Sequence, residues 1–418
     1  MKILHIGYTN IGGAGIGMMN LHQAMLDRGI DSKMLVVQKQ TTCNTVFTAL
    51  PNLHVWANNR FALLLEKVAR RMGIYFNALD RIRMQMYKAK HKHPIPFSSP
   101  ITNYDLSEHP LVKEADIINL HFISDFVDIE TFFSKVHKPI VWIMRDENPG
   151  LGGFHYTSTK EEYYKDFATL EDMFINIKRK AIKGCNNLYI VSLSDYMRRF
   201  CQNVDFISDL PNTVIGNVIN PDEYPIFSQA EARETLHLNK TDIIISFVCF
   251  DLGEKRKRLK EVIEALTIIK QSPMLGERER QHIQLVCVGM NKIQLSHPNV
   301  ICLGKISDKR QLSMVYAASN VFVTPSDQES FGKTVIEALY CGAPVVSTPT
   351  GIAPEVINED NGCICPNSSP VEIASAIIRV LIHEAYNPEQ IRQKATELFS
   401  PKAIVSQYTQ LYKTILNK

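Results

Sequence analysis

Long hydrophobic runs are missing from this chain of 418 residues. The densest apolar stretch, residues 243–250, is eight residues long and includes Ser246, far short of the ~18 needed to span a bilayer. Cysteine is sparse and odd in number, nine in all, which excludes a small disulfide scaffold and fits reduced thiols. The opening residues, MKILHIG, read as a strand and lack the basic, apolar and cleavage segments of a secretory leader. A cytoplasmic protein is therefore expected. A large charge excess is also lacking. The net charge of +3 is too small to argue for a nucleic-acid partner. What is present, 45% hydrophobic and 21% charged residues, is ordinary for a globular protein, and the length suggests roughly two to three domains.

Both halves alternate strand-like and helix-like segments. In the first half, strands are predicted over 2–7, 33–38, 116–120, 139–144 and 187–191, with helices between them such as 162–183. The first strand runs into Gly12-Gly13-Ala14-Gly15. In the second half, strands are predicted over 243–250, 283–288, 300–302, 321–324 and 344–347. Helices are predicted over 259–270, 309–318 and 331–341, and two closing helices over 370–383 and 401–417. Asn220-Pro221-Asp222 and Tyr224-Pro225 punctuate the stretch 217–228. The expected fold is α/β, with doubly wound Rossmann-like lobes over 1–217 and 218–400 and a last helix over 401–418 packing back towards the first lobe. In such sheets ligands lie beyond the carboxyl ends of the strands.

The most informative segment is VFVTPSDQESFGKTVIEALYCGAPVVSTPT, residues 321–350. A strand ends, a polar turn follows, and a helix begins near Gly332. Backbone N–H groups of Ser330, Phe331 and Gly332 at such a helix start suit an anion, phosphate above all. Two carboxylates flank this point, Glu329 before the helix and Glu337 about two turns inside it. Carboxylates repel phosphate but accept paired hydroxyl donors. A nucleoside diphosphate sugar, with ribose on one side of the phosphates and a sugar on the other, fits that arrangement. The alternative is a solvated Glu337 and a Glu329 that only complements the helix dipole.

Glu329-x(7)-Glu337, with Pro325-Ser326 before it and Cys341-Gly342-Ala343-Pro344-Val345-Val346 after it, resembles the signature of retaining GT-B glycosyltransferases of the family 4 type. The resemblance implies two Rossmann-like lobes facing across a cleft. It also implies transfer of a sugar from a nucleotide sugar, UDP- or GDP-linked, to a glycan or lipid-linked acceptor, with no cofactor and no metal. By the same resemblance Glu329 holds the sugar as a catalytic residue, Ser330, Phe331 and Gly332 hold diphosphate and sugar, and Glu337 holds the ribose. Gly12 and Gly13 resemble the first-lobe loop near diphosphate and acceptor. Lys257 resembles the lysine that neutralises the diphosphate, with Arg256 or Lys255 replacing an upstream arginine whose position is taken by Asp251. The glycine that usually follows that lysine is Arg258. Residues 214–217 resemble the family hinge, and residues 303–308 the loop that meets the base.

One position departs from the pattern. The family's His-Asp pair is here Arg145-Asp146, followed by Gly152-Gly153-Phe154-His155-Tyr156. Arg145 is always charged and grips phosphate oxygens, but it is no general base. With Asp146 it is assigned to the catalytic set. The rival is an Arg145–Asp146 structural contact in a donor-binding protein of weakened activity. His121, at the end of a first-half strand, is a candidate substrate ligand or a packing residue, and His155 a loop-ordering one. Cys363-x-Cys365 lacks a second ligand pair at zinc spacing. Residues 67–92 carry eight Lys and Arg against Asp80 alone, interleaved with apolar residues. Such a helix suits an anionic membrane surface, peripheral on the inner face, or is a solvated face with a packed stripe. A sugar-nucleotide epimerase on the same fold is a further alternative. A dinucleotide-dependent oxidoreductase is disfavoured, because residues 12–17 read GGAGIG and Met18 stands where a third glycine belongs.

Overall fold

The structure, a computed structural model, describes residues 1–51, 78–293, 295–383 and 386–417. The chain divides into two compact units. The first comprises Met1–Ser192, Met197–Val214 and Thr409–Lys418, and the second Leu193–Tyr196 and Ile215–Tyr408.

The first unit is built on a seven-stranded sheet. Its strands are β1 Lys2–Thr9, β2 Asp31–Gln38, β3 Val46–Thr48, β4 Ile117–Leu120, β5 Ile140–Met144, β6 Leu188–Ser192 and β7 Asn212–Val214. They are parallel and ordered β3-β2-β1-β4-β5-β6-β7. Every residue of β4 and β5 is buried, as expected of central parallel strands covered on both faces. β1 runs two residues past the predicted end, because Thr9 pairs with Gln38. The order reverses between β1 and β4, which is where a doubly wound sheet opens a ligand crevice.

The second unit repeats this plan with six parallel strands. These are β8 Ile243–Asp251, β9 Ile283–Met290, β10 Val300–Cys302, β11 Val321–Thr324, β12 Val345–Ser347 and β13 Gly362–Ile364, ordered β10-β9-β8-β11-β12-β13. One face packs on helices Leu259–Gln271 and Pro370–Ile382 through Ile245, Leu285, Val323, Val262, Ile269 and Ile377. The other packs on Lys309–Ala318 through Ile244, Val286, Met314 and Val315. The reversal falls between β8 and β11.

Some elements differ from the sequence reading. The helix predicted over 331–341 is Lys333–Tyr340, since Gly332 has φ +82° and cannot be helical. A helix over Pro388–Phe399 was not anticipated, although Asn387 caps it and Pro388 opens it. Of the basic segment, residues 67–77 lie outside the described residues. The remainder forms helix Ala78–Lys92, whose Ile82 and Met86 are buried against Phe97, Phe167 and Phe174. Arg81, Arg83, Lys88 and Lys92 are exposed, so this part of the helix presents basic side chains to solvent while its apolar side packs into the core. Among the described residues no helix is long and apolar enough to cross a membrane.

Candidate active site

The second unit gathers its predicted residues at the carboxyl ends of β8 and β11. After β11 the turn is pinned from below: Thr348 Oγ1 and Thr350 Oγ1 donate to the Ser326 carbonyl at 2.5 and 3.2 Å. Gly351, at φ +56°, lies directly against the loop that carries Glu329. A Cβ there would come within 2.5 Å of the Phe331 carbonyl oxygen and 2.9 Å of Glu329 Cβ. Ile352 N–H donates to the same Phe331 carbonyl at 2.8 Å. The Phe331 ring is buried edge-to-face on Phe399, which orients the backbone of residues 331–332. No side chain caps helix Lys333–Tyr340. The N–H groups of Phe331 and Gly332 have no hydrogen-bond partner among the described residues. Unsatisfied amides at a helix start form an anion-binding concavity.

The cations converge on the same loop. β8 ends in a turn, Lys255–Lys257, where Lys257 Nζ pairs with Glu329 Oε1 and Arg256 Nη1 lies 3.4 Å from the same oxygen. Arg256 also donates to the Gln328 carbonyl and to Glu254 Oε1. Burial alone would raise the Glu329 carboxyl, but the Lys257 and Arg256 charges outweigh it and hold its pKa below the ordinary carboxylate value. Lys257 and Arg256, expected to face a diphosphate, are thus held by an internal carboxylate. Arg258, in place of the family glycine, adopts the left-handed conformation that glycine would favour, φ +60°. Its guanidinium is tied to Asp327 at 2.5 Å and Glu261 at 2.7 Å, contacts that offset the ~1–2 kcal/mol cost of that backbone geometry. The second carboxylate, Glu337, is half-buried and accepts from the Tyr316 hydroxyl at 3.2 Å. Burial, and then the Glu337 charge, push the Tyr316 phenol well above its ordinary value, so it stays a donor. The Tyr224 hydroxyl hydrogen-bonds to the Glu337 carboxylate as well.

The first unit holds the other candidates at the ends of β1, β4 and β5. Gly12, at φ +71°, and Gly13 open helix Gly12–Leu26 with free space over both. Gly15 is the sterically required one, since a Cβ there would meet the Thr9 carbonyl oxygen at 2.5 Å. His121, expected as a substrate ligand, is buried and has both ring nitrogens engaged. Nε2 lies 2.9 Å from His5 Nδ1, and Nδ1 accepts from Arg145 Nη2 at 3.0 Å and Nε at 3.2 Å. Burial first, and the Arg145 charge second, hold His121 well below the usual imidazole value; burial and His22 lower His5 likewise. Asp146, expected among the catalytic residues, has both oxygens committed locally, to His155 Nδ1 at 2.7 Å and to the Asn148 N–H at 3.0 Å. His155 Nε2 meets Ser98 Oγ at 3.0 Å, so this pair orders the loop.

Other residues that matter escaped the sequence reading. Glu171 is fully buried and accepts from the N–H groups of Gly152 and Gly153 at 2.9 and 2.7 Å. Lys178, also buried, donates to the carbonyls of Asn148 and Leu151 at 2.6 and 2.7 Å, and burial lowers its pKa to about 7. The one available signal was their placement as charged residues on the inward stripe of helix Thr157–Ile182. Cys363 and Cys365 are buried, and among the described residues no group of three His, Cys, Asp or Glu side chains is disposed to hold a metal.

Strand order and solved structures agree on the class: the chain has the GT-B glycosyltransferase fold. A sucrose-phosphate synthase from Thermosynechococcus elongatus matches with a TM-score of 0.65 at 18% identity, covering 100% of both chains. Anabaena Alr3699/HepE, solved with UDP and glucose, matches with a TM-score of 0.62 at 16% identity over 99% of each. Residues 243–383, within the second unit, match the model of glycosyl transferases group 1. Among curated relatives, N-acetyl-alpha-D-glucosaminyl L-malate synthase of Bacillus anthracis is 34% identical over 121 residues, 28% of this chain and 31% of that protein. D-rhamnosyltransferase WbpZ of Pseudomonas aeruginosa is 23% identical over 280 residues, 64% of each. These matches span less than two thirds of either relative.

Proposed function

We propose that the chain is a retaining glycosyltransferase that moves a sugar from a UDP- or GDP-linked donor to a glycan or lipid-linked acceptor in bacterial surface polysaccharide synthesis. The observation that carries this reading is the conjunction at the second unit's strand ends. Unpartnered amides of Phe331 and Gly332 and two carboxylates eight residues apart share one strand-turn-helix element, and the cations Lys257 and Arg256 reach its Glu329 from the turn after β8. The amides and cations take the diphosphate, Glu337 the ribose hydroxyls and Glu329 the donor sugar. Bound diphosphate competes with Glu329 for Lys257 and Arg256, and so frees the carboxylate to accept from sugar hydroxyls. A relative named for rhamnosyl transfer and a solved neighbour holding UDP and glucose support a nucleotide-sugar substrate.

In this reading the bond from the anomeric carbon to the β-phosphate oxygen breaks with its electron pair going to the diphosphate. The acceptor oxygen bonds to the same face of that carbon, and its proton passes to the leaving phosphate oxygen. Arg145 stabilises the departing charge and takes no proton. Helix start, Lys257 and Arg256 supply the positive field that a metal would otherwise provide. The exposed basic side of Ala78–Lys92 holds the protein to an anionic membrane surface by charge. A specific observation supports a second reading, donor binding without turnover: Arg145 is buried against His121. A mass-spectrometric screen against UDP- and GDP-sugars separates the two. Donor consumption that disappears in Glu329→Ala is expected; nucleotide binding with no turnover under any acceptor contradicts transfer.

A further inference from the structure

One face of the second unit's sheet is covered by helices Leu259–Gln271 and Pro370–Ile382, and the second of these carries more apolar residues than its buried side uses. Ile373, Ala374, Ile377 and Val380 pack into the core. Val371, Ser375, Ile378 and Ile382 follow one another at helical spacing as a second stripe. Val371 is 63% exposed and Ile382 43%. A helix that is apolar on all sides is normally covered on all sides. Beside this stripe the chain leaves helix Leu259–Gln271 through Ser272 and Pro273, and Met274 is 62% exposed. Here lies a groove of about 550 Å³, with Ile268 and Ile378 at its base and Met274, Val371 and Ile382 along its rim. Of the ten described residues that line it, Arg379 alone carries a charge. The Arg379 side chain is exposed and has no hydrogen-bond or ion-pair partner among the described residues. The groove shares no residue with the candidate active site.

Its size and lining are those of a small-ligand site, which encloses about 300–1,000 Å³ and is mostly apolar with a few placed polar groups. A protein partner would need roughly 20–30 residues on this side, and a bilayer surface a cluster of about four or more basic residues. The groove offers ten residues and one cation. An unpaired guanidinium at the edge of an apolar trough favours an anionic head over a neutral or cationic one, because it has donors only and grips a carboxylate with two of them. We propose that this groove binds a single-chain amphiphile of the fatty-acid class: its chain lies along the apolar stripe and its carboxylate is held by Arg379. This inference is independent of the donor-site reading above.

The test is isothermal titration of the full chain with dodecanoate below its micelle concentration, beside dodecyltrimethylammonium, which has the same chain and a cationic head. Dodecanoate is expected to bind saturably at a single site, and the cationic amphiphile at least about tenfold more weakly. Arg379→Gln is expected to weaken dodecanoate about tenfold and to leave the cationic amphiphile unchanged, so that the preference between heads disappears. Ser375→Trp, which fills the groove from an exposed position, is expected to abolish binding of both. If Ser375→Trp does not fold, as judged by circular dichroism, Val371→Gln takes its place, with weakened binding of both heads expected. Unsaturable uptake of dodecanoate, equal wild-type affinity for the two heads, or affinities unchanged by these substitutions would overturn the inference. Binding to phosphatidylglycerol vesicles that Arg379→Gln reduces, with no monomeric dodecanoate bound, would overturn it in favour of a membrane contact. A dimer in analytical ultracentrifugation that Ser375→Trp dissociates, again with no dodecanoate bound, would overturn it in favour of a second copy of the chain.

Discussion

The two units share a strand order and differ in how they hold charge where that order reverses. In the second, the strand ends carry a partly open ion-pair network, with Lys257 and Arg256 on Glu329 and Arg258 on Asp327. In the first, the same position is buried and held by neutral imidazoles that grip one guanidinium. Topology alone thus sets where a crevice lies, and the residues placed at strand ends set its chemistry. An ion-pair network can exchange one anion for another, as the proposed donor site requires. A buried imidazole line can only hold what it already holds.

The contrast can be broken at several points. The largest effect is expected from Glu329→Gln, which removes the internal anion but keeps the side-chain size. Turnover should fall about a hundredfold or more, while UDP or GDP affinity, measured by calorimetry, stays level or rises because Lys257 and Arg256 are released. Next is Lys257→Ala. It removes a direct charge contact to phosphate and should weaken nucleoside diphosphate binding about tenfold, with binding of the corresponding nucleoside almost unchanged. Gly351→Ala should lower stability by roughly 1–3 kcal/mol, because the added methyl overlaps the Phe331 carbonyl at a left-handed backbone position. Urea unfolding measures it, and nucleotide binding should weaken in step.

The last prediction is a pH dependence, concerns Lys178 and belongs to the first unit. Its pKa of about 7 in the folded chain lies below that of a lysine in the unfolded chain, ~10.4. Between these values the unfolded state binds more protons. The Lys178 contribution to stability therefore rises with pH from about 7 towards 10. Denaturant midpoints across that range should rise less steeply in Lys178→Met than in the wild type.

Much of this was legible in the sequence. Near-continuous apolar strands such as 243–250 announce a buried parallel sheet, and Glu329-x(7)-Glu337 with Gly332 marks the strand-turn-helix element proposed to hold the donor. The hidden parts depend on contacts between distant residues. Gly351 looks like any turn glycine until its backbone is seen against Phe331. His5 sits in a strand whose neighbours are apolar, and its partner His121 is 116 residues away. Arg258 conceals a left-handed position, because its strain is offset by Asp327, 69 residues on. Spacing within a segment shows helices and turns, whereas such pairs become visible only once the strand order is known.

The central claim is that the second unit's strand ends form a diphosphate cradle. Isothermal titration of the wild type and Lys257→Ala with UDP, GDP, UMP and GMP tests it most directly. The account predicts that UDP or GDP binds, that the matching monophosphate binds at least about tenfold more weakly, and that Lys257→Ala removes most of the difference. Equal affinity for mono- and diphosphate, or no nucleotide binding at all, would contradict it.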